Sequence, residues 1–417
     1  MRVFIFIMYV FAVAQFTAME KPEALQGLAE LPEELIEPLD KPLTNKAIAR
    51  LTKSASLGNV ESQISLVRAL LNDDPDKALE WAKKAGERMQ PALFANIYFF
   101  RNDVDNTKNY IAKALEQKDP HSYRILGQMS LATGDYANAL SWYAKGIQAG
   151  DIEALYARAM LFIAQHKDEL AKKDLQVLIS RNTLLANEAR GHIASLNHDF
   201  LKAIDIFKKE NDTLHLAISY EALAQQPSTS ENMRAQYQKE AEKLFTISAQ
   251  EDQCGVGYYH LGLAAMQESE NQNALKYFTE SFKKIGCFWE EATYPGNANY
   301  YMWELTNKID PVKAEDFLHV AVERFKNPDA ALKLGLRYYN NKDLPVKERI
   351  AQAKKYLQIA ADAGKRDALY NLATIAEYEK DYSKAKELFG GLMKEQYRDA
   401  ADRLKMVIKK QLEEIKK

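Results

Sequence analysis

Apolar side chains recur with a spacing of about 3.6 residues along the chain from about Thr44 onward, and no alternating strand pattern recurs. This spacing predicts amphipathic α-helices. The stretch Trp142–Tyr156 shows the pattern best, because it contains the end of one helix, a tight turn at Gly150-Asp151 and the start of the next helix. We therefore expect two antiparallel helices across a short connection, which is half of a helical repeat.

The same unit can be followed along the chain by a small residue just inside the first helix. A bulky residue follows two positions later, a large apolar residue four later and a second small residue five later, as in Asp367 to Ala373. The repeated small position falls at Ser62, Ala92, Ser122, Ala154, Ala189, Gly257, Ala298, Ala330, Ala368 and Ala400. Most steps are about 30 to 41 residues, the range of two-helix solenoid repeats. The step from Ala189 to Gly257 is about twice that, which predicts a degenerate copy around Thr213.

The second helix of each repeat has its own start signal. An acidic or amide residue precedes an Ala-x-x-x-aromatic pattern, and such residues cap helix N-termini. The predicted starts are Asp74, Asp103, Asp135, Asp168, Asp199, Asn271, Asp310, Pro345 and Asp381. We also expect a helix over 46–57, capped by Thr44-Asn45, and a following helix over 60–71.

The first residues differ from the repeats. An uncharged run over 3–14 follows Arg2, and Ala12-Val13-Ala14 offers small residues for cleavage, which predicts a secretory signal peptide over residues 1–14. A retained membrane anchor is the alternative, although a span needs about 20 apolar residues. Residues 15–43 are acidic and contain prolines, so we expect a linker, with a peptide-like docking arm as the alternative.

Composition limits the classes of partner. The chain has 417 residues, with 56 basic and 58 acidic side chains and a net charge of -2. This balance provides no global field for nucleic acid, so we expect no nucleic-acid partner. Repeat arrays add length without adding separate cores. We therefore predict one elongated repeat array over residues 44–405, closed by a charged capping helix end over 406–417.

The repeat carries a more specific resemblance. The pattern aromatic-Tyr-x-Lys-Ala-x-x-x-Gly-[Asp/Asn]-x-[Asp/Glu]-Ala-x-Tyr-x-Leu-Gly is matched best at 142–159 and 356–373, and its Gly-Asn-x-Glu core at 53–67. These residues resemble the Sel-one-like subfamily of tetratricopeptide repeats. The resemblance implies an all-α fold, a right-handed α-solenoid of about ten to eleven antiparallel helix-pair repeats. It also implies an adaptor that holds partners or assembles complexes, often in the bacterial periplasm or the secretory pathway.

The chain departs from this family at Arg124, Gly191 and Trp303. Trp303 is the largest departure, since it falls where a small residue lets adjacent helices approach. We therefore do not expect a regular superhelix around residues 286–303.

The two cysteines, Cys254 and Cys287, flank one predicted helix hairpin and should emerge at its open end. The resemblance extends to cysteine-rich secreted members of the family, which clasp their hairpins with a disulfide. A bond here would stabilise the fold by about 3 to 4 kcal/mol in the chain-entropy model, and an exported protein suits it. Two unrelated buried thiols are the alternative. No paired Cys or His spacing for zinc accompanies them.

The search for catalytic chemistry gives negatives. The sequence has no phosphate-binding Gly-rich loop, no Gly-x-Ser-x-Gly elbow, no His-Glu-x-x-His helix and no calcium loop. His192 and His198 flank a helix end, but a metal role would need acids from another repeat. We expect no enzyme activity, no catalytic residue, no resident metal and no cofactor.

Binding residues can be predicted from repeat geometry. The first helix of each pair tends to line the concave face in such solenoids, so positions between the packed ones should face a partner. The predicted partner-binding residues are Tyr258, His260, Asn299, Tyr301, Trp303 and Lys333. Aromatic side chains with a polar tip suit peptide or glycan contacts. Packing against the neighbouring helix is the alternative for each tyrosine, and filling space left by a longer loop is the alternative for Trp303.

Together these features predict a non-catalytic, exported scaffold or adaptor for proteins or peptides, with glycan-containing envelope components as further candidates. Polysaccharide export, cell-wall synthesis and secretion are the assemblies it could serve. We expect a periplasmic location first and secretion second. A secreted protein that acts on another organism is the alternative function, and a cell-wall enzyme is a remote one.

Overall fold

The computed structural model describes residues 45–71, 74–101, 103–250, 255–282 and 293–415. The predicted leader and linker, Cys254, Cys287 and the aromatic residues Phe288 and Trp289 lie outside these residues. The disulfide and the signal peptide therefore stay predictions. Within the described ranges the secondary structure is helical, without strands, as the apolar spacing predicts. None of the helices among these residues has an apolar stretch long enough to cross a bilayer.

The chain divides into two compact units, with the boundary between Tyr294 and Pro295. This boundary falls in the segment where the sequence departs from a regular repeat. The helices that begin before it are α1 Asn45–Ser56, α2 Val60–Leu70, α3 Pro75–Ala85, α4 Pro91–Phe100, α5 Val104–Glu116, α6 His121–Ala132, α7 Tyr136–Gln148, α8 Ile152–Ala164, α9 Asp168–Ser180, α10 Ala186–Leu196, α11 Phe200–Glu210, α12 Thr213–Gln225, α13 Glu231–Gln250, α14 Gly255–Gln267, α15 Asn271–Ser281 and α16 Tyr294–Thr306. Those that follow are α17 Pro311–His319, α18 Pro328–Asn340, α19 Val346–Asp362, α20 Arg366–Tyr378, α21 Tyr382–Lys394 and α22 Ala400–Ile415.

Consecutive helices pack against each other from α1 to α15, and again from α17 to α22. The first helices of successive repeats also meet, as α4 with α6 and α6 with α8. The predicted architecture of helix pairs is therefore confirmed within each unit. The degenerate copy expected around Thr213 is α12, which pairs with α13.

Side-chain caps explain where ten of the 22 described α-helices begin. In each case a carboxylate or amide oxygen accepts a hydrogen bond from the backbone N–H three residues later, which satisfies one of the free N–H groups at a helix start. The capping residues are Asn59, Asp74, Asp103, Asp135, Asp151, Asp199, Asp212, Asp310, Asn327 and Asp381. Three of the predicted starts have no side-chain cap of this kind. Asp168 and Asn271 are the first helical residues of their helices, and Pro345 makes no side-chain cap.

Small residues allow the close helix contacts that the repeat pattern predicts. A Cβ atom built on Gly146 of α7 would lie 2.8 Å from Cβ of Ala154 on α8. A Cβ atom on Gly127 of α6 would lie 2.3 Å from the Tyr143 ring of α7, and Tyr143 is fully buried. The first small position thus packs on the preceding helix, whereas the second one receives a ring from the following helix.

The contact between the second small position and a ring of the following helix corrects the repeat register that the sequence predicts for α10. A Cβ atom on Gly191 would lie 2.6 Å from the Phe207 ring of α11, which is the role that Gly127 has in its repeat. Gly191 is five residues after Ala186, so Ala186 and not Ala189 is the first small position here. The predicted departure at Gly191 was wrong for this reason. Burial alone could not show it, since Ala186 and Ala189 are both buried.

Candidate partner-binding site

Helices α12, α13 and α14 enclose a cavity of about 180 Å³. Asp212 begins α12 by accepting a hydrogen bond from the His215 N–H at 3.0 Å. The turn after α12 is closed by the Thr229 hydroxyl, which donates to the Leu223 carbonyl at 2.7 Å. Helix α13 then runs for 20 residues, longer than any other described helix. This length extends the α12–α13 pair beyond the regular repeat and provides one wall of the cavity.

The cavity opens because α13 and α14 approach closely at one end only. A Cβ atom on Gly257 would lie 2.9 Å from the Ala249 nitrogen, so the two backbones nearly touch there. Further along the antiparallel pair, Phe245 stacks on the His260 ring with 4.4 Å between ring centroids and an interplanar angle of 5°. Beyond this stack the side chains are small or polar, and space remains between the helices.

The floor and the mouth of the cavity differ in polarity. Phe245 and His260 are buried at its floor, together with Ala241. Glutamines and glutamates from all three helices form the rest of the lining. These residues are Glu221, Gln225, Gln238, Glu242, Gln267 and Glu268, with Ala224 and Ala264 between them. A side chain that enters the cavity would therefore meet apolar surface below and carboxylates around it.

The lining carries negative charge. Oε2 of Glu221 lies 2.9 Å from Nδ1 of His260, and this carboxylate is partly exposed. Burial raises the pKa of the Glu242 carboxyl above its ordinary value, and the nearby Glu268 charge raises this pKa further. The lining contains the carboxylates of Glu221, Glu242 and Glu268 and no Lys or Arg, and its His260 pairs with Glu221. A cation would relieve the mutual repulsion of these carboxylates.

Of the two predicted binding residues in the first unit, His260 lines this cavity and Tyr258 does not. His260 forms part of the cavity lining and is buried. Tyr258 precedes it on α14 and is half-buried, with its ring tilted against Tyr277 of α15 at a centroid distance of 6.5 Å. Tyr258 thus packs on the neighbouring helix and still offers part of its ring to solvent.

The remaining predicted residues belong to the second unit. Asn299 is buried and donates from its side-chain amide to the Pro295 carbonyl at 2.9 Å, so it has a structural partner. Tyr301 is half-buried, with its ring 5.8 Å from that of Tyr300. Lys333 is exposed, and its Nζ lies 5.9 Å from the centroid of the Trp303 ring. The partner-binding role of these residues stays a prediction.

Trp303 is only 9% exposed and belongs to the buried core of the second unit. It packs in a cluster with Ala314 and Leu318 of α17, and its ring lies 5.5 Å from that of Tyr300. This position agrees with the alternative in which Trp303 fills space. The α12–α14 cavity belongs to the first unit, and of its lining the sequence analysis predicted only His260.

A buried charge cluster lies at the starts of α6 and α8. Nδ1 of His121 lies 3.3 Å from Oδ2 of Asp151 and 3.8 Å from Oε2 of Glu153. Among the described residues, these three form the group whose ligand atoms converge within 4.8 Å, as metal ligands do. However, the Arg124 guanidinium lies 3.8 Å from the Asp151 carboxylate and 3.4 Å from that of Glu153. A cation would be repelled by this arginine, so we interpret the cluster as an ion network that joins two repeats.

Sequence reasoning missed this network. Arg124 was seen only as a departure from the family pattern. Its position three residues after His121 places both side chains on one helix face, which is the signal that could have indicated a shared partner. Burial raises the pKa of the Asp151 carboxyl, but the hydrogen bond and charge of His121 and the charge of Arg124 lower it more, so the net pKa lies below the ordinary value.

A second buried network connects α8, α10 and α12. The Tyr156 hydroxyl lies 2.9 Å from Nε2 of His192, and the rings of His192 and His215 meet edge to face at 4.4 Å. Nδ1 of His215 lies 2.6 Å from Oδ2 of Asp212. Burial lowers the pKa of His192 well below its ordinary value, and the neighbouring His215 lowers it further. These side chains are buried, so a substrate could not reach them in this conformation.

No protein-family model matches the chain, and no curated protein matches it. Solved structures give low-identity likenesses. A Sel1 repeat protein from Oxalobacter formigenes is 15% identical, with a TM-score of 0.37, and the match covers 94% of this chain and 98% of that one. The human IFIT1 dimer with m7Gppp-AAAA is 14% identical, with a TM-score of 0.41, over 87% of this chain and 94% of that one. At this identity and these TM-scores, the assignment of a helical-repeat fold rests on the chain's own helix pairs.

Proposed function

We propose that this protein is a non-catalytic scaffold that binds a segment of another protein at the α12–α14 cavity. The observation that carries the proposal is the cavity itself. Three consecutive helices contribute to its lining. Solenoid repeats commonly present such extended binding surfaces.

The half-buried Tyr258, two residues before His260 on α14, supports a peptide partner. Tyrosine supplies a large rigid contact area with a polar tip, and such side chains are enriched among binding hot spots. The carboxylates of the cavity lining would repel phosphate groups, which argues against nucleic acid at this site. Export to the periplasm, with cleavage near Gln15 and a Cys254–Cys287 bond, remains part of the proposal. It is supported by the apolar leader sequence and the cysteine positions.

Selection from a random peptide display library on the purified full chain tests the proposal. We expect enriched peptides that share a motif and that bind less tightly, by on the order of 1 to 2 kcal/mol, to Tyr258→Ala. Tyr123→Ala is the matched control, since Tyr123 is also half-buried and is stacked on Trp142 of the following helix at 6.4 Å. Absence of any enriched motif, or equal loss in both variants, would contradict a binding site at this position.

The cellular location of the protein can be tested separately from its binding function. N-terminal sequencing of the protein from its native cell fractions should find a chain that starts near Gln15 in the exported fraction. Recovery of the intact chain with Met1 from the cytosol would exclude export. Mass spectrometry of unreduced tryptic peptides from the same material should find Cys254 linked to Cys287, and two free thiols would exclude the bond.

A further inference from the structure

We propose that the α12–α14 cavity is a pocket for one lysine side chain of the partner segment, with its ammonium group held among Glu221, Glu242 and Glu268. This inference rests on the proposed function and specifies its chemistry. The size of the cavity, the carboxylates of its lining and the polarity of its walls each restrict the ligand.

The size indicates a single side chain. Small-molecule and cofactor sites usually enclose about 300–1,000 Å³. This cavity has about 180 Å³. An unbranched alkyl chain with a terminal charge fits this space, whereas a nucleotide does not. The small side chains of Ala241 and Ala264 leave room for such a chain between α13 and α14.

The charge indicates a cation larger than a metal ion. Glu221, Glu242 and Glu268 line the cavity, and the lining contains no Lys or Arg, although His260 pairs with Glu221. Their oxygens and the ring of His260 do not form a group that converges within 4.8 Å, since among the described residues that property belongs to His121, Asp151 and Glu153. A divalent ion needs oxygen ligands at about 2.0–2.6 Å and therefore a tighter cluster. An ammonium group makes longer contacts to oxygen, of about 2.7–3.2 Å, and can bridge two carboxylates that lie further apart.

The arrangement of the carboxylates favours lysine over arginine. Glu221 belongs to α12 and Glu242 to α13, while Glu268 follows α14 directly. A guanidinium group is planar and pairs best with one carboxylate through two parallel hydrogen bonds. An ammonium group donates three hydrogen bonds in different directions. Glu221, Glu242 and Glu268 reach the cavity from different parts of the chain. They therefore suit an ammonium group better than a planar guanidinium group.

The apolar floor suits the rest of a lysine side chain. Phe245 is buried beneath the cavity and is held in place by its stack with His260. Lysine buries its methylene groups against apolar surface while its charged end remains among polar groups. Burial raises the pKa of the Glu242 carboxyl, so its charge is less well solvated than in free solution. An ammonium ligand would supply the missing stabilisation.

Titration with n-butylammonium chloride tests the pocket without knowledge of the partner. The full chain would be labelled with ¹³C at alanine methyl groups, and the signals of Ala241 and Ala264 would report on the cavity. We expect a saturable shift of both signals, and about tenfold weaker binding of n-butanol at the same ionic strength, because the alcohol lacks the charge. Equal binding of the two compounds would show an apolar pocket and overturn the proposal. Absence of a saturable shift with n-butylammonium would overturn it as well.

Single substitutions test whether the Glu242 carboxylate binds the ammonium group. Glu242→Gln keeps the shape of the side chain and should weaken n-butylammonium binding about tenfold. Glu240→Gln is the matched control, because Glu240 lies on the same helix outside the cavity and pairs with Lys243 at 3.3 Å. It should bind as the wild type does. Unchanged binding in Glu242→Gln would overturn the proposal. Tighter binding of n-propylguanidinium would assign the pocket to arginine, and tighter binding of calcium chloride would assign it to a metal.

The peptide selection separates this inference from the proposed function. If enriched peptides share a lysine and bind about tenfold less tightly to Glu242→Gln, both the scaffold function and the lysine pocket are supported. Enriched peptides that lack lysine, or that are insensitive to this substitution, would overturn the pocket and leave the scaffold function standing. If no peptide is enriched while n-butylammonium still binds, the scaffold function fails and the pocket remains as a site for a free amine.

Discussion

Single glycines determine how closely the two helices of a repeat can approach. Gly127, Gly191 and Gly262 each face an aromatic ring from the helix that follows, and a Cβ atom at any of them would lie 2.3 to 2.6 Å from that ring. Real Cβ atoms do not tolerate such distances, so the ring or the helix would have to move. The identity of these residues is therefore set by packing and not by a turn.

Gly262→Ala should destabilise the protein by about 1 to 3 kcal/mol, since overpacking forces neighbours out of their positions. The added methyl group would lie 2.6 Å from the Phe278 ring, which is fully buried and cannot swing into solvent. Urea denaturation measures the loss. Gly390→Ala is the control, because nothing lies within 4 Å of the added atom and helical alanine should stabilise by about 1 kcal/mol. An equal effect of both substitutions would show that helix propensity, and not the ring contact, decides.

A buried ion pair connects the two helices of the α8–α9 repeat. The Arg158 guanidinium donates from both Nε and NH2 to the Asp174 carboxylate at 2.8 Å, and both side chains are buried. Burial raises the pKa of the Asp174 carboxyl more than Arg158 lowers it. The attraction therefore only partly offsets the cost of removing the two charges from water.

Asp174→Ala should cost about 3 to 5 kcal/mol, because it leaves the Arg158 charge buried without its partner. The double variant Arg158→Met with Asp174→Leu should be nearly as stable as the wild type or more stable, since it removes both desolvation costs. Equilibrium unfolding of the single and double variants measures the difference. A double variant that is less stable than Asp174→Ala would show that the pair contributes a net stabilisation beyond charge compensation.

At the level of elements, the histidine network makes the contact of α8, α10 and α12 sensitive to pH. His192 meets the Tyr156 hydroxyl on α8, the His215 ring and Asp212 at the start of α12, and Phe207 on α11. Its pKa is lowered in the folded protein, so the folded state favours the neutral ring. As pH falls below about 6.5, the unfolded chain takes up a proton that folded His192 does not.

Stability should therefore fall between pH 7 and pH 5, by up to about 1.4 kcal/mol per pH unit from His192 alone. Urea denaturation at several pH values measures the slope. His192→Gln should reduce this slope, although it also lowers stability at neutral pH. His198→Gln is the control, since His198 is exposed after α10. If His192→Gln keeps the full wild-type slope, another group is responsible for the pH dependence.

A buried carboxylate on α20 links this helix to the last helix, α22. Glu377, near the end of α20, is only 7% exposed, and it accepts hydrogen bonds from Arg403 at 2.5 Å and Lys410 at 2.6 Å on α22. Burial raises the pKa of this carboxyl, but the hydrogen bond from Lys410 and the charges of both cations lower it more. The charged capping helix expected from the sequence is therefore attached to the stack by specific ion pairs as well as by the buried Val407.

Glu377→Ala should destabilise α22 by about 1 to 3 kcal/mol, since two charged hydrogen bonds are lost at once. Hydrogen exchange should show faster opening of α22 while α18 and α19 stay protected. Glu379→Ala removes an exposed carboxylate that pairs with Lys354 at 2.8 Å, and it should cost no more than about 1 kcal/mol. Similar exchange rates of α22 in both variants would show that apolar packing alone holds this helix.

At the level of the whole molecule, stability should be local within each unit. Helices of a repeat array contact their neighbours and little else, as the consecutive packing of α1 to α15 shows. Leu66→Ala in α2 creates a cavity at a fully buried position and should cost about 2 to 5 kcal/mol. Hydrogen exchange should become faster in α1 to α4 and stay unchanged in α10 to α13. Faster exchange throughout the unit would show global cooperativity instead.

The sequence predicts the helices and the small-residue contacts well, because both depend on local spacing. Asp103 and Asp135 cap the helices that they were expected to cap, and α12 begins at the expected Thr213. The candidate site was predicted only in part. His260 was expected to face a partner, but Glu221, Glu242 and Glu268 were missed. They line the cavity together with α13, a 20-residue helix whose length no repeat spacing encodes.

The two helix contacts of each repeat occur at fixed separations along the chain. Gly146 and Ala154 meet eight residues apart across the turn between repeats, whereas Gly127 and Tyr143, Gly191 and Phe207, and Gly262 and Phe278 meet sixteen residues apart within a repeat. A longer connection changes only the second separation, as between Gly335 and Leu357. The removal or duplication of one whole helix pair would therefore preserve both separations on each side of the junction. Such a chain can change its length by whole repeats more easily than by single residues within a helix.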